Sequence, residues 1–322
     1  MKTLSKLPAL LILSTALVAG TAQADVLDLS GLVGKANLYS LSNISLGNNS
    51  VAGGIVANGN ISGSSYNIGT GAYGNYSVIA SGNFSYSNGQ LAGGYYASTT
   101  NIAANTNLAN TPVSAAPSMS FATTSSNVSA TSSAVGALAA TGSAKSLNPY
   151  YLPEVTLASG AGGAKSVEVF NMKASDFGAI GSLKSTLDSS VTKTVIFNLT
   201  GNANWSNMGM SALDGYNVLF NFVDATSVNF SSINVLGSVL APNAVIGGSN
   251  GNILGTVVAG DWNASLTLGN SKAFAATDVA GFAAAVSPVP EPETWAMLLA
   301  GFGLVGWQAR RRARKQAAEA AK

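Results

Sequence analysis

Gly54-Ile55-Val56-Ala57, Ser77-Val78-Ile79-Ala80, Gly94-Tyr95-Tyr96-Ala97, Ser238-Val239-Leu240-Ala241 and Thr256-Val257-Val258-Ala259 repeat one short pattern: a small residue, two apolar residues, an alanine, then a turn rich in Gly and Asn. The copies start 23 and 17 residues apart in the first cluster and 18 apart in the second. Such spacing suits the coils of a β-solenoid, in which a single coil cannot bury its inner face and needs its neighbour. Asn58-Gly59-Asn60, Ser81-Gly82-Asn83, Asn88-Gly89, Pro242-Asn243 and Gly247-Gly248 stand where such a chain turns, and Gly and Asn tolerate positive φ at low cost. The expected fold is therefore mainly β and solenoid-like. A β-sandwich is the alternative, since it uses similar turns.

Between the clusters, Ala103 to Ser146 is rich in Ser, Ala and Thr. Phe121, Val128 and Val135 recur at seven residues, with Leu138 three further on. A long side helix beginning after Pro117 would lay this thin apolar stripe against the solenoid, and a loop is the competing reading. Beyond it, Ser166-Val167-Glu168-Val169-Phe170, Thr194-Val195-Ile196-Phe197-Asn198-Leu199 and Tyr216-Asn217-Val218-Leu219-Phe220-Asn221-Phe222 read as buried strands.

Both ends of the chain differ in composition from this middle. Lys2 and Lys6 precede the apolar run Leu7 to Gly20, and Ala22-Gln23-Ala24 supplies the small residues a signal peptidase needs. Residues 1–24 read as a secretory signal, with Ala22, Ala24 and Asp25 bounding cleavage between Ala24 and Asp25. At the other end, Val289-Pro290-Glu291-Pro292-Glu293 leads into an uncharged stretch, Thr294 to Ala309, followed by Arg310, Arg311, Arg312, Arg314 and Lys315. At about 1.5 Å per residue, 294–309 reaches roughly 24 Å, a short transmembrane helix that snorkelling arginines complete. The cations keep the tail inside and leave Pro290-Glu291-Pro292 outside.

With the ends set aside, residues 25–287 form one exported domain with seven Lys, no Arg and ten acidic residues, a net charge of −3. Nucleic acid needs clustered cations, so it is not an expected partner. The chain has no Cys and no His. It therefore lacks disulfides, thiolate ligands and the commonest general base and zinc ligand, so an enzyme would have to work with carboxylates. Asp214, Asp224 and Asp261 are the natural candidates for acid-base work or a hard cation, but each also stands at a turn or corner. No cofactor or metal is expected, and the protein reads as not an enzyme. Asn198 and Asn221, inside apolar strands, suit an inward ladder between coils. Trp205, Trp262 and the Tyr-rich stretch Tyr66 to Tyr96 would serve as stacking platforms for sugar if exposed, and as core if buried.

The segment Val289 to Lys315, residues 288–322 with its flanks, closely resembles the PEP-CTERM sorting signal of Gram-negative bacteria that make extracellular polysaccharide. That resemblance implies an exosortase as processing partner near Pro290-Glu291-Pro292, and attachment to or release from the envelope. A second resemblance rests on Thr194-Val195-Ile196-Phe197-Asn198-Leu199-Thr200-Gly201, Asn217-Val218-Leu219-Phe220-Asn221-Phe222 and Asp224-Ala225-Thr226. It continues in Gly237-Ser238-Val239-Leu240-Ala241-Pro242-Asn243-Ala244 and Gly255-Thr256-Val257-Val258-Ala259-Gly260. These look like the choice-of-anchor A domain, which implies an adhesive surface domain without catalytic residues.

The expectation is a noncatalytic surface or extracellular-matrix protein, exported through the inner membrane to the envelope, cell surface or matrix. Exopolysaccharide or another surface ligand would be its target, and the C-terminal helix its membrane contact. One alternative is ice binding, because related C-terminal signals occur on ice-binding proteins; the sequence offers only isolated threonines such as that in Leu266-Thr267-Leu268. The other is a carboxylate-only enzyme acting on polysaccharide.

Overall fold

The computed structural model describes residues 25–108, 115–146, 154–178 and 181–284. Every pairing within its 20-stranded sheet is parallel. Parallel pairing between successive short strands requires the chain to travel once around between rungs, which is the geometry of stacked coils and not of a sandwich.

Each coil has three faces. On the first, nine rungs stack in the order Val167–Lys173, Thr194–Thr200, Asn217–Phe222, the start of Ser238–Ile253, the start of Val257–Leu268, Leu38–Ser40, Ile55–Ala57, Tyr76–Ala80 and Gly94–Tyr96. The order is permuted relative to the chain, because the first coils of the sequence continue from the last. Leu38 pairs with Val257 on one side and with Ile55 on the other. All five copies of the repeat lie on this face, and Asn37-Leu38-Tyr39-Ser40 is an unrecognised sixth that joins the two clusters. In register, Ala241, Ala259, Ser40, Ala57 and Ala80 form one column.

The small first residue of the pattern fastens coil to coil. Ser238 Oγ accepts from the backbone N–H of Thr256 and of Phe274, both at 2.9 Å. Ser77 Oγ accepts from Gly93 N at 2.6 Å. Asn37 accepts from Gly53 N and donates to the carbonyls of Gly255 and Gly269. Pro242-Asn243 and Gly247-Gly248, expected as turns, instead lie inside the 16-residue strand Ser238–Ile253, which bends round the corner through register shifts. Gly248 sits at φ +127°, and a Cβ there would fall 1.8 Å from the Phe230 carbonyl oxygen, so the bend requires glycine.

The side helix spans Phe121–Gly136, with Ser120 as N-cap accepting from Thr123 N. It buries Val128 and Val135 against the outside of the first face, where Ile196, Leu219, Leu240, Val258, Tyr39, Val56 and Ile79 form a second core. The first face is thus buried on both sides, which is why Thr194–Thr200 reads as a continuous apolar run.

One end of the stack is closed by the small sheet of Gly142–Ser146, Glu154–Ser159 and Ser182–Ser185 and by the helix Ala174–Gly178, which add Val155, Leu157, Leu183 and Phe177 to the main core. The opposite end, Thr99–Ile102 and Asn107–Leu108, is open among the described residues, with Leu108 39% exposed. The chain divides into two compact units after Ala284, and all described residues belong to the first. No helix among them is long and apolar enough to cross a membrane, and the expected span 294–309 lies outside the described residues.

Candidate functional site

The three candidate carboxylates do not come together. Asp214 caps a 3-10 turn and pairs with Lys272 Nζ at 2.8 Å. Asp224 accepts from Gly201 N at 2.7 Å, and Asp261 accepts from Asn43 N at 3.2 Å. Each acid is committed to a local structural partner, and no group of three metal-binding side chains exists among the described residues. Of the cleavage and sorting residues, only Asp25 is described. It opens a strand paired with Thr277–Val279, and its carboxylate accepts from Ala284 N at 2.9 Å. Ala22, Ala24, Pro290, Glu291, Pro292, Arg310, Arg311 and Arg312 lie outside the described residues.

The aromatic platforms are core. Trp205, Trp262 and Tyr66 are fully buried and Tyr86 nearly so, while Tyr73, Tyr95 and Tyr96 are half-buried. Alternation along each strand turns these bulky groups inward, where Trp205 packs on Phe177, Phe220, Phe222 and Phe230. Burial holds the Tyr66 and Tyr86 phenols in their neutral form, that of Tyr86 pushed up to about 12.

Asn198 and Asn221 point outward from their coil, not inward, and are buried because the helix covers them. Asn221 Nδ2 donates to Ser132 O and to Asn198 Oδ1, both at 3.0 Å. Asn198 Nδ2 donates to Val135 O at 2.8 Å and to Asn171 Oδ1 at 3.1 Å, and Asn171 Nδ2 reaches Leu138 O at 3.1 Å. The acceptors 132, 135 and 138 are three residues apart, about 4.5 Å along a helix, while the rungs are about 4.8 Å apart. One asparagine per rung therefore meets one carbonyl per helical step. This ladder is a fastening for the helix, and sequence periodicity did not reveal its direction.

What remains open to solvent are the second and third faces. The second has eight rungs: Ala203–Ser206, Ser227–Ser231, the middles of Ser238–Ile253 and Val257–Leu268, Ile44–Leu46, Ile61–Ser64, Asn83–Ser87 and Thr99–Ile102. Its central outward row, in register, reads Asn204, Asn229, Gly247, Asn263, Ser45, Ser62, Ser85, Asn101. Beside it run Ser206, Ser231, Ser249 and Ser265, and further on Ser64 and Ser87. At the other margin Asp261, Asn43, Asn60, Asn83 and Thr99 hand hydrogen bonds from coil to coil: Asn60 N donates to Asn43 Oδ1 at 3.0 Å and Asn83 N to Asn60 Oδ1 at 2.8 Å. The third face carries one outward row, Asn234, Asn252, Thr267, Ser50, Asn67, Gln90, Asn107.

Residues 36–108 contain no ionisable Asp, Glu, Lys or Arg, and residues 225–271 contain only Asp261. The charges of the domain gather largely in residues 145–224, toward the closed end. Two long faces of small hydroxyls and amides thus stand almost without charge. A cleft of about 610 Å³ near the helix C-terminus is lined mainly by Ala, Val and Gly with Lys165 and Asp278 at its wall, and one of about 640 Å³ at the closed end of the second face is lined by Ser175, Asn202, Asn204, Ser227 and Asn229.

Among the described residues, the stacked coils present extended ladder faces of Ser and Asn. A family model described as "Putative Ice-binding-like adhesive domain" matches residues 30–270, and the chain belongs to that family. The PEP-CTERM protein-sorting motif matches residues 288–312, marking the protein for exosortase processing and for the cell surface or envelope. No curated protein and no solved structure matches the chain.

Proposed function

We propose that the protein is a noncatalytic adhesive component of the cell surface or extracellular matrix, cleaved between Ala24 and Asp25 on export and processed at Pro290-Glu291-Pro292. Its folded domain, residues 25–287, makes the contacts, and a transmembrane helix at 294–309 with Arg310, Arg311 and Arg312 behind it holds the chain for exosortase. A place in the choice-of-anchor A family fits this reading. The observation that carries it is the combination of an adhesive-type family domain with two open faces on which acids and aromatics do not converge. Changing Pro290, Glu291 and Pro292 to alanine should leave unprocessed protein in the inner-membrane fraction. Unchanged processing and location, read by cell fractionation and immunoblot, would sink the sorting claim.

Ice binding is the second reading, favoured by the family description and by the regular outward rows. Those rows are built of Ser and Asn with Thr at few rungs, so they lack the paired methyl and hydroxyl of a threonine ladder. Thermal hysteresis in a solution of the protein would favour that reading over adhesion to a solid or matrix.

A further inference from the structure

We infer that the second face is a self-association surface: two copies of this chain pack these faces together, antiparallel, about a two-fold axis. The inference rests on the adhesive reading and names its partner. Four observations carry it.

First, the face is chemically its own complement. Serine hydroxyls and asparagine amides each donate and accept, so a row of them pairs with an identical row, whereas a row of cations or anions repels its copy. Second, its charge permits the approach. Asp261 is the single acidic or basic side chain on the eight rungs, it stands at the margin, and it is already engaged by Asn43. Third, a second copy has the same repeat by construction. Rungs recur at about 4.8 Å, and a copy turned antiparallel presents the same period along the whole length, which keeps every rung in register with a partner rung.

Fourth, the area is adequate. Eight rungs at about 4.8 Å span on the order of 35 Å, and strands of about five residues at about 3.3 Å are about 16 Å wide. Face-to-face packing would bury roughly 550 Å² per copy, about 1,100 Å² in total, at the lower edge of specific interfaces. With hydroxyls and amides in place of an apolar centre, the interface is a wet one and the association reversible. The outward rows of the second face carry Ser, Asn and Gly and no aromatic side chain, so this face offers sugar rings or bases no stacking surface, and a like face is the better-matched occupant.

An isologous arrangement puts the axis between the Val257–Leu268 and Ile44–Leu46 rungs, so Ser62 faces Gly247 of the other copy and Ser85 faces Asn229. The test is sedimentation velocity on the full-length chain in detergent, over a wide concentration range, for wild type, Ser62→Arg on the second face and Asn67→Arg on the third. Both substituted side chains are exposed, so both variants should fold. Wild type and Asn67→Arg should dimerise alike, and Ser62→Arg should dimerise at least about tenfold more weakly, an equilibrium difference of about 1.4 kcal/mol. A wild-type chain that stays monomeric throughout would overturn the inference. So would dimerisation unaffected by Ser62→Arg, or weakened equally by both variants, since the contact would then lie elsewhere. The adhesive reading is separate: a monomeric protein that still holds cells to a surface would leave it standing.

Discussion

Replacing Trp205 with alanine should lower domain stability by about 3–5 kcal/mol, among the largest effects available to a single side chain in this molecule. Trp205 is fully buried, with its ring 4.6 Å from Phe177, 5.3 Å from Phe222, 5.4 Å from Phe220 and 5.5 Å from Phe230. Its Nε1 donates to Ala174 O at 3.1 Å, which ties the helix Ala174–Gly178 to the second-face rung. Truncation leaves a cavity between close-packed rings and strips the partner from that carbonyl, so both costs fall on the closed end. The ring also packs directly on Gly178, where a Cβ would lie 2.5 Å from Trp205 Cδ1, so truncation unpacks the end of that helix as well. Chemical denaturation should show an early transition for the capped end, since stacked repeats unfold less cooperatively than a single core. A midpoint within error of wild type would show that this aromatic cluster does not support the end of the stack.

The second large effect is expected at Asn198. Substituting leucine keeps the approximate volume but removes every polar atom from the middle of the ladder. Val135 O and Asn171 Oδ1 would lose a donor and Asn221 Nδ2 an acceptor, all of them at buried or part-buried sites. Val135 O keeps Leu138 N at 3.1 Å and Asn221 Nδ2 keeps Ser132 O at 3.0 Å, so at about 1–3 kcal/mol for a fully stranded buried group a loss of about 2 kcal/mol is expected. The loss should be local. Val135 lies in the last turn of the helix, where its carbonyl would keep only the local Ala137 and Leu138 N–H groups and the tie to the coil would be lost, so amide exchange in 121–136 should accelerate well before exchange in the coils. Uniform acceleration across all rungs would contradict the fastening role. Ser126→Ala, on the exposed side of the same helix, should change neither quantity.

Much of the architecture could be read from the residues, and the gaps have physical causes. The five repeat copies identified one face, and the seven-residue recurrence of Phe121, Val128 and Val135 after Pro117 identified the helix. Coil order was hidden, because a repeat tells which face a strand occupies and not which neighbour it meets. On the first face, the Leu38–Ser40 rung, with Ser40 in the alanine column, links the two clusters. The outward direction of Asn198 was hidden for a related reason. A strand buried on both faces loses the alternation from which inside and outside are told apart, as the unbroken burial of Thr194 to Leu199 illustrates.

The candidate surface was legible in part. Composition alone gives the nearly charge-free stretches 36–108 and 225–271, but 116 residues of sequence separate them, and the permuted stacking is what makes them one continuous surface. The same stacking consumes Trp205, Trp262, Tyr66 and Tyr86 as core. That redirects attention from aromatic platforms to rows of Ser and Asn, and from a ligand pocket to contact spread along a face.

The central claim is that this surface works by contact. Its most direct measurement is adherence of cells to a solid support and to one another, comparing the native protein, its absence, and a chain carrying Ser62→Arg with Ser85→Arg on the central row at matched surface levels. Adherence should fall without the protein and fall comparably with the charged row. Equal adherence in all three strains would contradict the account.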